Sequence, residues 1–328
     1  MAPYSVTVRV PATTANLGPG FDCLGLALDL WNVTTFRLGD GGASLRVRVR
    51  GEGAGVVPED GENLVARAAG MLFRQQGILP PAGLEIECEN GIPLGSGLGS
   101  SGAAVLTGLL GANAMLGTPL GANAMLGTPL GANTLLGNPL ERAEILRLAV
   151  EIEGHADNAA TALEGGLVIV AATRDGFLTR RVEVPALPAC IVLPAVDLPT
   201  RAARAALPAS VPMSDAVFNL GRTALVVEAL RAGDLDLLGA AMDDRLHQPY
   251  RFPLIAGAES ARAAALEAGA IAAGLSGAGP SLAAFGGDPA QVAAAMQAAF
   301  TGAGVRSRVF ITRVSGDGAV VDFERIGS

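Results

Sequence analysis

Lysine is missing altogether from this 328-residue chain, so all 23 basic residues are arginine. That absence excludes a Walker phosphate loop, which needs a lysine after its last glycine. Cysteine is scarce: Cys23, Cys88 and Cys190 are odd in number and far apart, which points away from a disulfide framework or a paired-cysteine metal centre and suits a reducing cytosol. Basic charge is also short. Against 31 acids the arginines leave a formal charge of -8, which excludes nucleic acid as an expected partner and favours a small-molecule substrate. Charge of either sign is absent from residues 91–140, a run long enough to raise the question of a membrane span. Pro93, Pro119, Pro129 and Pro139, among many Gly and Asn, would break such a helix repeatedly, so no span is expected. The opening residues show no basic region ahead of an apolar core, and no secretory signal is expected. Half the residues are hydrophobic and 16% charged, which fits a folded chain of two domains or one large one.

What is present begins with glycine. Residues 93–103, Pro93-Leu94-Gly95-Ser96-Gly97-Leu98-Gly99-Ser100-Ser101-Gly102-Ala103, set four glycines and three serines between an expected strand and an expected helix. Without Cβ atoms the main chain can approach an anion and aim several N–H groups at it, and the helix N-terminus adds about half a positive charge. Gly97-x-Gly99-x-x-Gly102 also fits the dinucleotide fingerprint, but the acidic residue required about 20 positions on is missing. A glycine-rich helix entry without a ligand remains the bland alternative for the loop taken alone.

Residues 5–10 alternate valine with small or polar groups and read as a strand, which runs into an irregular segment, 11–22, rich in Gly, Pro and hydroxyls. Asn16 and Asp22 within it suit a ligand's hydroxyl or ammonium group. Strands are expected near 31–38 and 45–50, a helix from Glu62-Asn63, with Asn63 fitting a helix cap, and a strand over 84–88 that delivers the chain to the glycine loop. Residues 111–140 hold three tandem ten-residue units, two of them identical. Each carries its own stop and start signals, Gly117, Thr118 and Pro119 in the first, and Asn138 with Glu141 has capping-box spacing for a helix over about 139–152. That helix runs into Glu151-Ile152-Glu153-Gly154-His155-Ala156-Asp157-Asn158, then a loop and an apolar strand from Gly166 to Val170. Caps of an ordinary turn are one reading of His155, Asp157 and Asn158; four crowded polar groups are a better case for a site. Past about 172 the chain turns Pro- and Ala-rich, with a strand at 191–194, helices at about 214–231 and 234–245, a second glycine-rich turn at 271–281 and a closing helix with two strands. Arg204 and Arg251, taken alone, could be surface charges.

The segment 11–22, the loop 93–103, the 151–158 segment and the second glycine turn, in this order and spacing, resemble the motifs of the GHMP family of small-molecule kinases, and residues 11–22 resemble its branch acting on L-homoserine. The resemblance implies an α+β, two-domain fold: an ATP-binding domain over 1–172 of ribosomal-protein-S5-like type, and a ferredoxin-like α/β domain over 173–328. It implies ATP-dependent phosphorylation of the side-chain hydroxyl of L-homoserine, in threonine biosynthesis in the cytoplasm, with Mg²⁺. ATP would lie on Asn63 and residues 93–103, the metal on Ser100 and Glu151. Glu153 is a rival ligand; on a regular helix the two carboxylates point about 200° apart, so only one faces the loop. The substrate carboxylate would meet Arg204 and Arg251, its ammonium Asp22, and its hydroxyl Asn16, His155 and Asn158. Asp157 stands where related kinases place a base; the expectation is that Asn158 orients the hydroxyl and its proton leaves late, toward the phosphate. No membrane or nucleic-acid partner is implied, and a homodimer is compatible. Another member of the family, with a mevalonate-like or sugar substrate, and a non-catalytic nucleotide-binding relative are the alternatives. The resemblance to the branch acting on L-homoserine implies one such ten-residue unit, so the extra copies are expected as short helical turns looped out between two helices of that branch.

Overall fold

Alternating valines in the first strand set the architecture. In a computed structural model, which describes residues 4–38, 45–116, 139–174 and 176–325, β1 (Tyr4–Ala15) buries Val6, Val8 and Val10 and exposes Arg9. The strand does not stop at residue 10. It continues as far as Ala15, with the register against β2 (Leu24–Leu38) shifting between Pro11 and Ala12, where proline has no N–H to give the ladder. β3 (Arg46–Gly51) turns its arginines outward, where Arg46 and Arg48 pair with Glu85 and Glu87 of its parallel neighbour β4 (Leu84–Asn90). Between them runs α1 (Leu64–Gln75), capped by Asn63, whose Oδ1 accepts the Val65 N–H at 3.0 Å. This β–α–β unit delivers the chain to the glycine loop.

α2 (Ser100–Leu116), α3 (Arg142–Glu153) and α4 (Ala156–Glu164) follow, then β5 (Leu167–Thr173) and β6 (Gly176–Val182). α3 begins at Arg142 rather than 139, and the reciprocal cap is Glu141 with Glu144, whose carboxylate accepts the Glu141 N–H at 3.3 Å. Asn138, Gly117, Thr118 and the expected helical turns of the extra units lie outside the described residues. The two described ends of that interval are tied together: Asn113 accepts the Leu140 N–H at 2.7 Å and donates to its carbonyl at 3.1 Å. The stretch expected as a loop after Asn158 is α4, an alanine-rich helix that begins at the expected polar cluster and buries Ala159, Ala160 and Leu163.

The first sheet has the order β11-β1-β2-β4-β3, with β5 on β2 and β6 on β5; β11 is the final strand, Val320–Arg325. The second is β10-β7-β9-β8, antiparallel throughout, from β7 (Pro188–Pro194), β8 (Ala272–Leu275), β9 (Leu282–Phe285) and β10 (Ser307–Arg313). Between β7 and β8 lie α5 (Thr200–Ala205), α6 (Met213–Ala232), α7 (Leu235–Ala241), α8 (Gln248–Arg251) and α9 (Ala258–Glu267), and α10 (Pro289–Gly302) precedes β10. That is the β–α–β–β–α–β order of a ferredoxin-like unit, as expected. The larger core lies between the first sheet and α1 to α4 and includes Phe36, Phe73, Leu106 and Leu148; the second packs Val192, Leu282, Val292 and Phe300. Residues 172 and 173 fall in the β5–β6 hairpin, and β11 pairs with β1, so both elements belong to the first sheet.

Candidate active site

The glycine loop leaves β4 and enters α2 through Gly95, Gly97 and Gly99, all with φ between 58° and 79°, a region that side chains avoid. Ser96 braces it from inside, donating to Pro93 O at 2.7 Å and accepting the Leu98 N–H at 3.3 Å. The second glycine turn supports it from below: Ser276 Oγ donates to Gly97 O at 2.9 Å, and Ser281 N to Ser96 O at 3.3 Å. Gly95, Ser96, Gly97, Gly99, Ser100, Ser101 and Gly102 line a cleft of about 470 Å³. Pro93, Leu98 and Ala103 are buried behind it, and Leu94 is exposed. Asn63 is buried, and its amide is taken up by the α1 cap and by Pro58 O at 2.8 Å, so the fold uses it locally rather than on the cleft wall.

Asn16, Asp22, His155, Asp157, Asn158, Arg204 and Arg251 line the same cleft, so the structure brings together every substrate and catalytic residue expected from the sequence. Asn16 and Asp22 adopt φ of 72° and 56°, which Asn and Asp tolerate better than other side chains. Asn16 donates to Gly277 O at 2.6 Å and accepts the Asp22 N–H at 2.9 Å, pinning the end of β1 to the second glycine turn. Arg204 makes a two-bond fork on Asp22, at 2.7 and 2.9 Å. Arg251 is 1% exposed, and its hydrogen bonds go to neutral acceptors: Ala203 O at 3.3 Å, Gly277 O at 3.3 Å and His247 Nδ1 at 3.2 Å. Burial, then Arg204, lowers its pKa; arginine nonetheless stays charged. Because an arginine N–H can only donate, His247 Nδ1 accepts, and its Nε2 carries the proton given to Gly18 O at 2.7 Å. Phe21 stacks on His247 with ring centroids 5.4 Å apart and lies under both guanidiniums, 5.6 Å from that of Arg204 and 5.1 Å from that of Arg251.

The structure places the two glutamates differently from the expected pair Ser100 and Glu151. Glu151 is not on the cleft: it is exposed and pairs with Arg147 at 3.5 Å. Glu153 faces the loop, accepting from Ser101 Oγ at 2.6 Å, and it lines the cleft beside Ser100. The helix explains the choice. Glu153 lies one and two turns beyond buried Ala149 and Ile145, whereas Glu151 lies one turn beyond exposed Arg147. That signal was available in the sequence. Burial raises the Glu153 pKa, and the Ser101 hydrogen bond opposes it. Asp157 is also raised by burial, opposed by the Asn158 backbone N–H at 2.8 Å. His247, Phe21 and Thr13, whose hydroxyl donates to Asn158 Oδ1 at 2.7 Å, were not singled out from the sequence. A lone buried histidine or threonine carries no pattern of its own.

Comparison with known proteins shows the family. Residues 63–128 match the GHMP kinases N terminal domain, and residues 226–302 match the GHMP kinases C terminal domain. A homoserine kinase of Moorella thermoacetica is 44% identical over 316 residues, 96% of this chain and 99% of that protein. One from Synechococcus sp. (strain CC9605) is 41% identical over 320 residues, 96% of this chain and 95% of that protein. The crystal structure of homoserine kinase from Cytophaga hutchinsonii superposes with a TM-score of 0.80 at 34% identity, covering 97% of each chain. With the glycine loop, the acidic helix end and the paired arginines on one cleft, and with relatives matching over nearly the whole length, the chain belongs to the homoserine kinases of the GHMP kinase family.

Proposed function

We propose that this chain transfers the γ-phosphoryl group of ATP to the side-chain hydroxyl of L-homoserine, giving O-phospho-L-homoserine for threonine biosynthesis. The observation that carries the substrate is Arg251, a buried guanidinium on the cleft wall whose own hydrogen bonds go only to neutral acceptors. A buried cation is costly unless paired, and an amino acid's carboxylate is the partner this position fits. Beside it, Arg204 and Asp22 answer each other in a fork. The carboxylate and ammonium of a zwitterion replace that pairing charge for charge, with Arg204 on the carboxylate and Asp22 on the ammonium.

Loop N–H groups and the start of α2 hold the phosphates, and phosphoryl transfer asks chiefly for such positioning and charge neutralisation. Ser100 and Glu153 offer hard oxygens at the loop, the donor set that Mg²⁺ accepts while keeping several waters. When bound there, the ion neutralises charge on the phosphate oxygens. Asn158, with His155 and Asn16 nearby, orients the acceptor hydroxyl, and its proton leaves late toward the phosphate. Asp157 acts through Asn158 rather than as an obligatory base. We take the two sheets as two domains that share this cleft. No helix among the described residues is long and apolar enough to cross a membrane. Free Cys23, Cys88 and Cys190 favour the cytosol, and Met213, Val217 and Leu220, exposed on α6, favour a homodimer.

The test is ATP consumption with Mg²⁺ in the presence of L-homoserine, L-threonine, L-serine or mevalonate. Turnover is expected with homoserine, and turnover confined to mevalonate, or with none of the four, would sink the proposal.

A further inference from the structure

Thr13, on β1, is fully buried at 0% exposure, and it touches two further elements that the reaction needs in register with that strand. Its hydroxyl donates to Asn158 Oδ1 on α4 at 2.7 Å, and its backbone N–H donates to Leu98 O in the glycine loop at 3.1 Å. A Cβ placed on Gly99 would collide with that hydroxyl and lie 3.1 Å from Asn158 Oδ1. Strand, phosphate loop and catalytic helix therefore meet at one side chain.

We infer that Thr13 is a positioning residue that fixes which face of the Asn158 amide meets the acceptor hydroxyl and keys that amide to the phosphate loop. The inference rests on Asn158 being the group that orients the substrate hydroxyl. An asparagine amide is nearly symmetric in shape, so its partners decide which end is oxygen. Asp157 Oδ1 already accepts the Asn158 backbone N–H at 2.8 Å, so the side-chain atom turned toward it, at 3.2 Å, must be the donor Nδ2. Thr13 then completes the assignment by donating to Oδ1. The flipped amide would set two acceptors face to face. One N–H of Nδ2 is spent on Asp157, and the other remains for a substrate oxygen in the cleft. Without the Thr13 hydroxyl, Oδ1 loses its donor, and the terminal amide torsion, intrinsically broad, is no longer held.

The experiment is a double-mutant cycle in the full chain, with Thr13→Val and Thr13→Ala each combined with Asn158→Ala, and Thr13→Ser as the variant that keeps the hydroxyl. Steady-state kinetics with ATP and homoserine and a thermal melt are read for each; having two hydroxyl-free variants keeps the cycle readable should one misfold. Thr13→Val should lower kcat by about tenfold or more, the scale of one lost buried hydrogen bond, with KM for ATP unchanged. Thr13→Ser should stay near the unmodified chain, and no further loss should follow when Asn158 is already alanine. An unchanged kcat in the hydroxyl-free variants, an equal loss in both Asn158 backgrounds, or a Thr13→Ser variant as poor as Thr13→Val overturns the inference alone. Absence of homoserine turnover in the unmodified chain overturns the function on which it rests.

Discussion

At the scale of single residues, the site turns on two arginines, one forked on Asp22 and one with no carboxylate among its hydrogen-bond partners. Arg251 is buried among neutral acceptors. Arg251→Leu should therefore raise KM for homoserine by roughly 10- to 150-fold, the range for a charge-assisted hydrogen bond, while KM for ATP holds; a rise in both would place the arginine elsewhere. The two glutamates make a paired prediction. Glu153→Gln should lower kcat by about 100-fold, close to 3 kcal/mol of barrier, and Glu151→Gln should leave it within about twofold, since that side chain only pairs with Arg147 in solvent. Equal losses would overturn the proposal that Glu153 helps hold Mg²⁺. Asp157→Asn distinguishes an orienting carboxylate from a base. Retained turnover supports the late proton transfer, and loss of turnover with normal substrate binding makes Asp157 the base.

Among elements, the glycine loop is held by its neighbours more than by itself. The second glycine turn bonds to Gly97 and Ser96 on one side and, through Gly277 N, to Ala15 O at 3.0 Å on the other. β1 thus reaches both glycine turns. The repeats are handled differently. Asn113, in the first unit, holds Leu140, the last residue of the third, so chain ends 27 residues apart are already joined. Each unit has asparagine in the same place, and removal of residues 111–130 would put Asn133 where Asn113 now stands. The shortened chain should keep homoserine turnover, read from ATP consumption with homoserine. Recovery of turnover from an inactive full chain would instead mean that the extra units disable the site.

Across the whole molecule, the cleft is shared: the first sheet supplies the glycine loop, and the second unit supplies Arg204 and Arg251. His247 joins the two, giving a proton to Gly18 O and accepting from Arg251. Asp244, Asp22 and Arg251 are the charged groups that act on it, and burial, the largest influence, lowers its pKa from 6.5 to about 4. The unfolded chain takes up this proton near pH 6.5 and the folded chain only near 4, so the contribution to stability is present above 6.5 and is lost as pH falls toward 4. The loss is on the order of 3 kcal/mol. Melts between pH 7 and 4 should show it, and His247→Gln should flatten the slope; an unchanged slope would place the acid sensitivity in other groups.

By itself the sequence determined the phosphate loop, through glycines whose conformation few other residues adopt, and most strands, through alternation that shows in a run of six residues. It determined the branch of the family through residues 11–22 and the 151–158 segment. Helix periodicity held the choice between Glu151 and Glu153, and it was settled once α3 packed its Ile145–Ala149 face inward. α4 was missed because a nine-residue helix offers too little periodicity to separate it from a loop. The cap at Asn63 was legible as a local pattern, whereas only the tertiary structure decided that Arg204 and Arg251 face one cleft, that Thr13 holds Asn158, and that His247 ties Gly18 to Arg251. Those contacts join residues as many as 145 and 229 positions apart, and what a side chain touches across such distances is set by how the sheets and helices pack, which local pattern does not encode.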